Sequence, residues 1–157
     1  MATLVVSIRN EKALKRDGGV EIGAANSTLL AAVHIAFYVA VIAEGTWRGA
    51  PLDGIAMAGI ATWAFGAVML VVVMRLLGPQ WTVKIIIGRD HRLVTHPLFR
   101  AVRHPNYFLG ILPELAGLAI ALHAWIVLVA GLALYAIPLV IRIRQEEAAM
   151  RARFAAY

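Results

Sequence analysis

Along the chain, apolar positions gather into four long runs separated by short polar stretches. The runs cover residues 28–47, 52–77, 106–122 and 124–141. A membrane-spanning helix needs about 20 mostly apolar residues, so each run predicts a transmembrane helix, the last two at the short end. Arg48-Gly49-Ala50-Pro51 leaves room only for an antiparallel return between the first two. Asn26-Ser27-Thr28 offers a side-chain cap for the first helix, and Gly78-Pro79 stops the second. Small residues on the second run (Ala56, Gly59, Ala61, Ala64, Gly66, Ala67) predict close helix packing rather than a ligand site. Pro113 and Pro138 are expected to kink the third and fourth helices, with neighbouring helices satisfying the freed carbonyls.

Outside the runs, residues 3–16 begin apolar and end basic with Arg9, Lys12, Lys15 and Arg16. They predict a helix lying on the anionic cytoplasmic surface, since the pattern lacks the apolar core and cleavage site of a signal peptide. Gly18-Gly19 ends it. Within the polar connector, residues 81–87 are dense in β-branched side chains and read as a strand or an interface-lying segment. Gly88-Arg89-Asp90-His91 reads as a turn. A connector as long as 78–104 is often functional. Residues 142–157 predict an amphipathic cytoplasmic helix with Met150, Phe154 and Tyr157 on one face.

Composition narrows the class. With 61% hydrophobic residues and a mean hydropathy of +0.77 over 157 residues, the chain is too apolar for an ordinary soluble domain. The expectation is an all-α polytopic membrane helix bundle in a single domain, 1–157. The absence of cysteine removes disulfides, thiolate metal sites and cysteine nucleophiles. The net charge of +6 flanks the spans instead of forming a soluble basic face, so no nucleic-acid partner is expected; no metal is expected either. Of the 15 Lys and Arg residues, only Arg48 falls on the side opposite the termini, which predicts cytoplasmic termini for an integral membrane protein.

Two ionisable clusters edge the last two runs. Arg100-Ala-Val-Arg103-His104-Pro105-Asn106-Tyr107 precedes the third, and Arg142-Ile-Arg-Gln-Glu146-Glu147 follows the fourth. A helical hairpin joined at His123 brings both to the same end. Arginine forks suit an anion, and carboxylates suit hydroxyl or ammonium donors. Inside the spans, Glu114 lies about two turns into an apolar helix, where an ionised carboxylate is costly and a functional role is the default. The alternative is a structural carboxyl bonded to Trp63 or Thr62. His34 and Glu44, ten residues apart, share a side of the first helix but are too far apart to hold one metal. His34 is either a packed bundle histidine or a substrate contact.

Arg103-His104-Pro105-Asn106-Tyr107 with Glu146-Glu147 resembles the cofactor-binding signature of the isoprenylcysteine carboxyl methyltransferase family, integral membrane enzymes that use S-adenosylmethionine. The likeness extends through Gly78-Pro79-Gln80-Trp81-Thr82-Val83 and, weakly, to Arg9-Asn10-Glu11, Glu21, His34 and Glu44. This wider pattern is similar to a bacterial branch that includes O-methyltransferases of alkylpyrones and phenolic lipids. The chain departs from the family at His96-Pro97-Leu98, where Gly-Pro-Tyr is common, and at Ala155, where a glycine is common. The resemblance implies that Arg103, His104, Asn106, Tyr107, Glu146 and Glu147 line an S-adenosylmethionine site, with Arg103 near the cofactor carboxylate. It implies O-methylation of a lipophilic or prenylated acceptor from the surrounding membrane lipids. Arg103, Glu114 and His34 are the candidate catalytic residues. A phospholipid N-methyltransferase-like enzyme, a membrane reductase and a non-enzymatic transporter subunit using Glu114 and Glu44 as proton sites are the alternatives.

Overall fold

A computed structural model of the chain describes residues 2–88 and 93–154. Most of the turn expected after Gly88, and Ala155 and Tyr157 at the end, lie outside the described residues. The chain is an all-α membrane helix bundle with one small two-stranded sheet.

Three helices are long and apolar enough to cross a membrane: α2 (Ala24–Arg48), α3 (Gly54–Leu77, continuing into a 3₁₀ turn) and α6 (Val127–Arg153). Helix α5 (Asn106–Ala121) is shorter. Sixteen residues rise about 24 Å, less than the roughly 30 Å of a hydrocarbon core. Four full spans were expected, and the third is thus cut short. Both α5 and α6 open on a π turn, Asn106–Ile111 and Val127–Gly131, each upstream of its proline. The hairpin between them turns at His123, which takes the left-handed conformation at φ 51°.

Helix ends follow local chemistry with one correction. Asp53 caps α3 by accepting from the N–H groups of Ile55 and Ala56, both at 2.9 Å. The cap expected at Asn26-Ser27-Thr28 is not used, because α2 starts earlier, after Gly23 at φ 64°. Asn26 instead donates 3.0 Å to the carbonyl of Pro138 on α6, so its side chain serves a neighbouring helix rather than its own backbone. Glu44 has a comparable role at the other end of α2. Its two oxygens accept from the N–H groups of Ile126 and Val127 at 3.1 and 2.8 Å, capping α6 from outside.

Helices α3 and α5 meet through glycines, as the small residues on the second run predict. A Cβ on Gly66 would lie 2.5 Å from the Glu114 backbone nitrogen and 2.7 Å from the Gly110 carbonyl. Gly59 and Gly117 are in equally close backbone contact. This proximity fixes the height of Glu114 in the bundle.

The expected separate C-terminal helix is not separate. Helix α6 runs unbroken past Arg142 to Arg153 because no glycine or proline follows Pro138, and Phe154 lies beyond its end. At the same end of the bundle, α1 (Ala2–Arg16) packs on the connector, and β1 (Val20–Ile22) pairs antiparallel with β2 (Ile85–Ile87). Of the stretch 81–87, only the last three residues are strand. A short helix α4 (Pro97–Ala101) is capped by His96, whose Nδ1 accepts from the Leu98 N–H at 3.2 Å. The chain's departure from the Gly-Pro-Tyr pattern therefore supplies a cap.

Candidate functional site

The bend leading into α5 supplies His104, the start of α5 supplies Asn106 and Tyr107, and the polar end of α6 supplies Arg142, Glu146 and Glu147. Antiparallel travel through the His123 turn returns α6 to the level where α5 began. The two clusters, some forty positions apart in the sequence, are in hydrogen-bond contact. His104 Nε2 lies 3.3 Å from Glu147 Oε1, and its Nδ1 lies 3.6 Å from Glu146 Oε2. The Tyr107 hydroxyl donates to Glu146 Oε1.

Arg142 joins these groups to two further elements. Its guanidinium is buried, with 3% of the residue exposed, and its Nε donates to the Tyr107 hydroxyl at 3.0 Å and to Glu146 Oε1 at 3.1 Å. One terminal nitrogen reaches Ser27 Oγ on α2 and the other the Val83 carbonyl in the connector, both at 2.7 Å. A guanidinium shut away from water needs acceptors at all three of its nitrogens, and each nitrogen has at least one here, with Nε shared between Tyr107 and Glu146. Arg142 belongs to the ionisable cluster expected at this end but had been given no role there, and Ser27 was expected only as part of a helix cap. The spacing of Arg142 and Glu146, one helical turn apart at the end of an apolar run, is a signal that marks Arg142, and no local pattern marks Ser27.

Asn106 accepts from the indole N–H of Trp81 at 3.3 Å, so it faces the connector. Arg103 is exposed at the rim, 53% by side chain, with Nη1 3.8 Å from Glu147 Oε1. Glu147 also accepts from Arg151 at 2.8 Å. Glu146 and Glu147 remain 25% and 23% exposed, so both carboxylates stay within reach of a bound molecule.

Glu114 and His34 belong to a second polar group deeper in the bundle. Tyr38 on α2 donates to Glu114 Oε1 at 2.7 Å, and His34 Nδ1 lies 3.3 Å from the Tyr135 hydroxyl on α6. The partner of Glu114 is Tyr38, not the Trp63 or Thr62 that the alternative structural reading named. The His34 and Tyr38 rings are 5.1 Å apart, which draws the four side chains into one cluster. Glu44 has no part in it, although it lies on the same side of α2 as His34, because its carboxylate is taken up by the α6 cap.

The isoprenylcysteine carboxyl methyltransferase family profile matches residues 59–152. The chain is 43% identical over 148 residues to an uncharacterised protein of Haemophilus influenzae, covering 94% of this chain and 86% of that one. It is 25% identical over 159 residues to the uncharacterised protein YpbQ of Bacillus subtilis, covering 96% and 89%. No solved structure matches the chain.

The pair of carboxylates around His104 has a measurable electrostatic consequence. Burial opposes the charged imidazole, yet hydrogen bonding and charge from Glu146 and Glu147 outweigh it and raise the pKa above its ordinary value. The sign follows from linkage. A raised pKa adds stability that is fully present below the unfolded value of about 6.5 and is lost as pH rises through the folded value. Histidine-ring NMR, with His104→Gln used to assign the signal, should show His104 titrating above an exposed histidine. Glu147→Gln should lower that midpoint, and an unchanged midpoint would show that the carboxylate does not act on the ring.

Proposed function

Because the chain belongs to the isoprenylcysteine carboxyl methyltransferase family, we propose that it is an integral membrane S-adenosylmethionine-dependent O-methyltransferase acting on the polar head of a lipophilic acceptor. The observation that supports this most is the convergence of His104, Tyr107, Arg142, Glu146 and Glu147 at one end of the hairpin. The residues suit the cofactor chemically. Partly exposed carboxylates on Glu146 and Glu147 can accept from ribose hydroxyls or an ammonium, and the exposed Arg103 fork can pair with a carboxylate. The bound cofactor supplies an electrophilic methyl group on a sulfonium.

Methyl transfer of this kind asks the protein to hold and orient two partners and to exclude water. Arg142 does the holding by fixing Glu146 and Tyr107 from a buried position. His104 and Asn106 set the walls next to them. This end faces the cytoplasm, the side on which Lys and Arg gather, while the acceptor arrives from the bilayer.

The deeper cluster bears on the acceptor. A carboxylate acceptor is already anionic at neutral pH, whereas a hydroxyl must lose a proton. Glu114, with Tyr38 as its hydrogen-bond donor and with His34 and Tyr135 beside it, offers a proton acceptor within the apolar region. This favours a hydroxyl on a phenolic or pyrone-like lipid, with Glu114 as the base and His34 as an acceptor contact.

Two outcomes test these readings. Calorimetry with S-adenosylhomocysteine should show binding to the wild-type protein and its loss in His104→Ala and Glu147→Ala, with both variants still folded. Near-normal affinity in both variants would remove the cofactor assignment. Glu114→Gln should leave that affinity intact and slow methyl transfer by roughly 10²-fold or more, as expected for loss of a general base. Wild-type turnover across pH 6 to 9 in this variant would make Glu114 structural and favour a carboxylate acceptor.

A further inference from the structure

Helix α1 has two faces with different occupations. Its inner face grips the connector. The Val83 N–H donates to Ser7 Oγ at 2.9 Å, and Asn10 Nδ2 donates to the carbonyls of Gly78 and Trp81 at 3.2 and 2.8 Å. Glu11 pairs with Lys84 at 2.7 Å, and Lys15 bridges Glu11 and Glu21 at 2.7 and 2.6 Å. These residues recur at three- and four-residue intervals, so they form one helical stripe.

The outer face is left open. Val5 and Ile8 are 66% and 44% exposed, and Arg9, Lys12 and Arg16 continue the same side of the helix. Among the described residues, no hydrogen bond or ion pair holds these three cations. Gly78 is the cap of α3, so Asn10 binds the very end of a membrane-spanning helix. That contact sets α1 at headgroup level, where apolar side chains flanked by cations match anionic lipid.

The same connector then passes to the candidate site. Val83 takes Ser7 on its N–H and Arg142 on its carbonyl, and Trp81 takes Asn10 on its carbonyl and Asn106 on its indole N–H. We propose that the outer stripe of α1 docks on anionic lipid headgroups and that this docking tightens the cofactor site through Ser7, Val83 and Arg142. The activity then depends on the charge of the surrounding bilayer. This inference rests on the cofactor reading of the Arg142 end and adds its regulation.

The test places the full chain in lipid nanodiscs made with phosphatidylglycerol or with phosphatidylcholine alone. Hydrogen exchange at the Val83 amide and affinity for S-adenosylhomocysteine are read in each, for wild type and for the combined Arg9→Gln, Lys12→Gln and Arg16→Gln variant. The substituted residues are exposed and touch no part of the site, so the variant keeps its fold. Slower exchange at Val83 and roughly fivefold or tighter binding in the anionic discs are expected for wild type, in the usual range of coupling between two sites. The variant should behave in anionic discs as wild type does in neutral ones. Equal exchange in both lipids overturns the proposal. Protection of α1 that appears in neutral discs and grows with the number of copies per disc assigns the stripe to a second copy and overturns it as well. Lipid-dependent exchange without binding in either lipid upholds the docking of α1 on anionic lipid and removes the cofactor reading instead.

Discussion

A guanidinium taken out of water must be surrounded by acceptors, and the architecture of this end of the bundle follows from meeting that demand at Arg142. Burial of an unpaired cation costs several kcal/mol. Ser27, Val83, Tyr107 and Glu146 answer it from α2, the connector, α5 and α6. Removing α2 or the connector strips a terminal nitrogen of the acceptor it has here, whereas Nε is shared between α5 and α6. The requirement also explains why α6 continues as one rigid helix into the polar region, since a break near Arg142 would swing Glu146 and Glu147 away from His104.

Polar pins of this type matter more in a bundle whose outer surface is apolar. Val39, Val68, Val129 and Leu134 are all 60% or more exposed, so hydrophobic burial alone does not select one arrangement of helices in lipid. Selection falls to close backbone contact and to hydrogen bonds. Gly66 and Gly110 supply the first between α3 and α5. Asn26 with Pro138, Glu44 with the start of α6, and Tyr38 with Glu114 supply the second, each joining α2 to another helix. The candidate site is assembled by the same contacts that hold the bundle.

Much of this was legible in the sequence, for identifiable reasons. Apolar runs reported the long helices because length and hydrocarbon thickness are directly linked. The meeting of His104 with Glu147 followed from two clusters placed at opposite ends of a hairpin. What escaped was the choice of partner over long distances. Ser27 and Arg142 are separated by 115 positions, and no local pattern joins them. Asn26 looked like a cap because its own neighbourhood favours one, and only the nearness of Pro138 redirects it. Strand β1 was missed because its three residues are held by pairing with β2 rather than by their own propensity. The alternative partners named for Glu114 lay on α3, whereas its partner is on α2, because the rotation of α5 against α2 cannot be read from composition.

The central claim is that the Arg142 end binds a methyl donor and that the product is a lipid. Purified protein in nanodiscs, given S-adenosylmethionine labelled on its transferable methyl group together with total membrane lipid, tests it most directly. The account predicts that label enters an organic-phase product with wild type and not with Glu146→Ala, in which both Tyr107 and Arg142 lose their carboxylate. Label transfer that is equal in the two proteins, or absent with wild type, would contradict it.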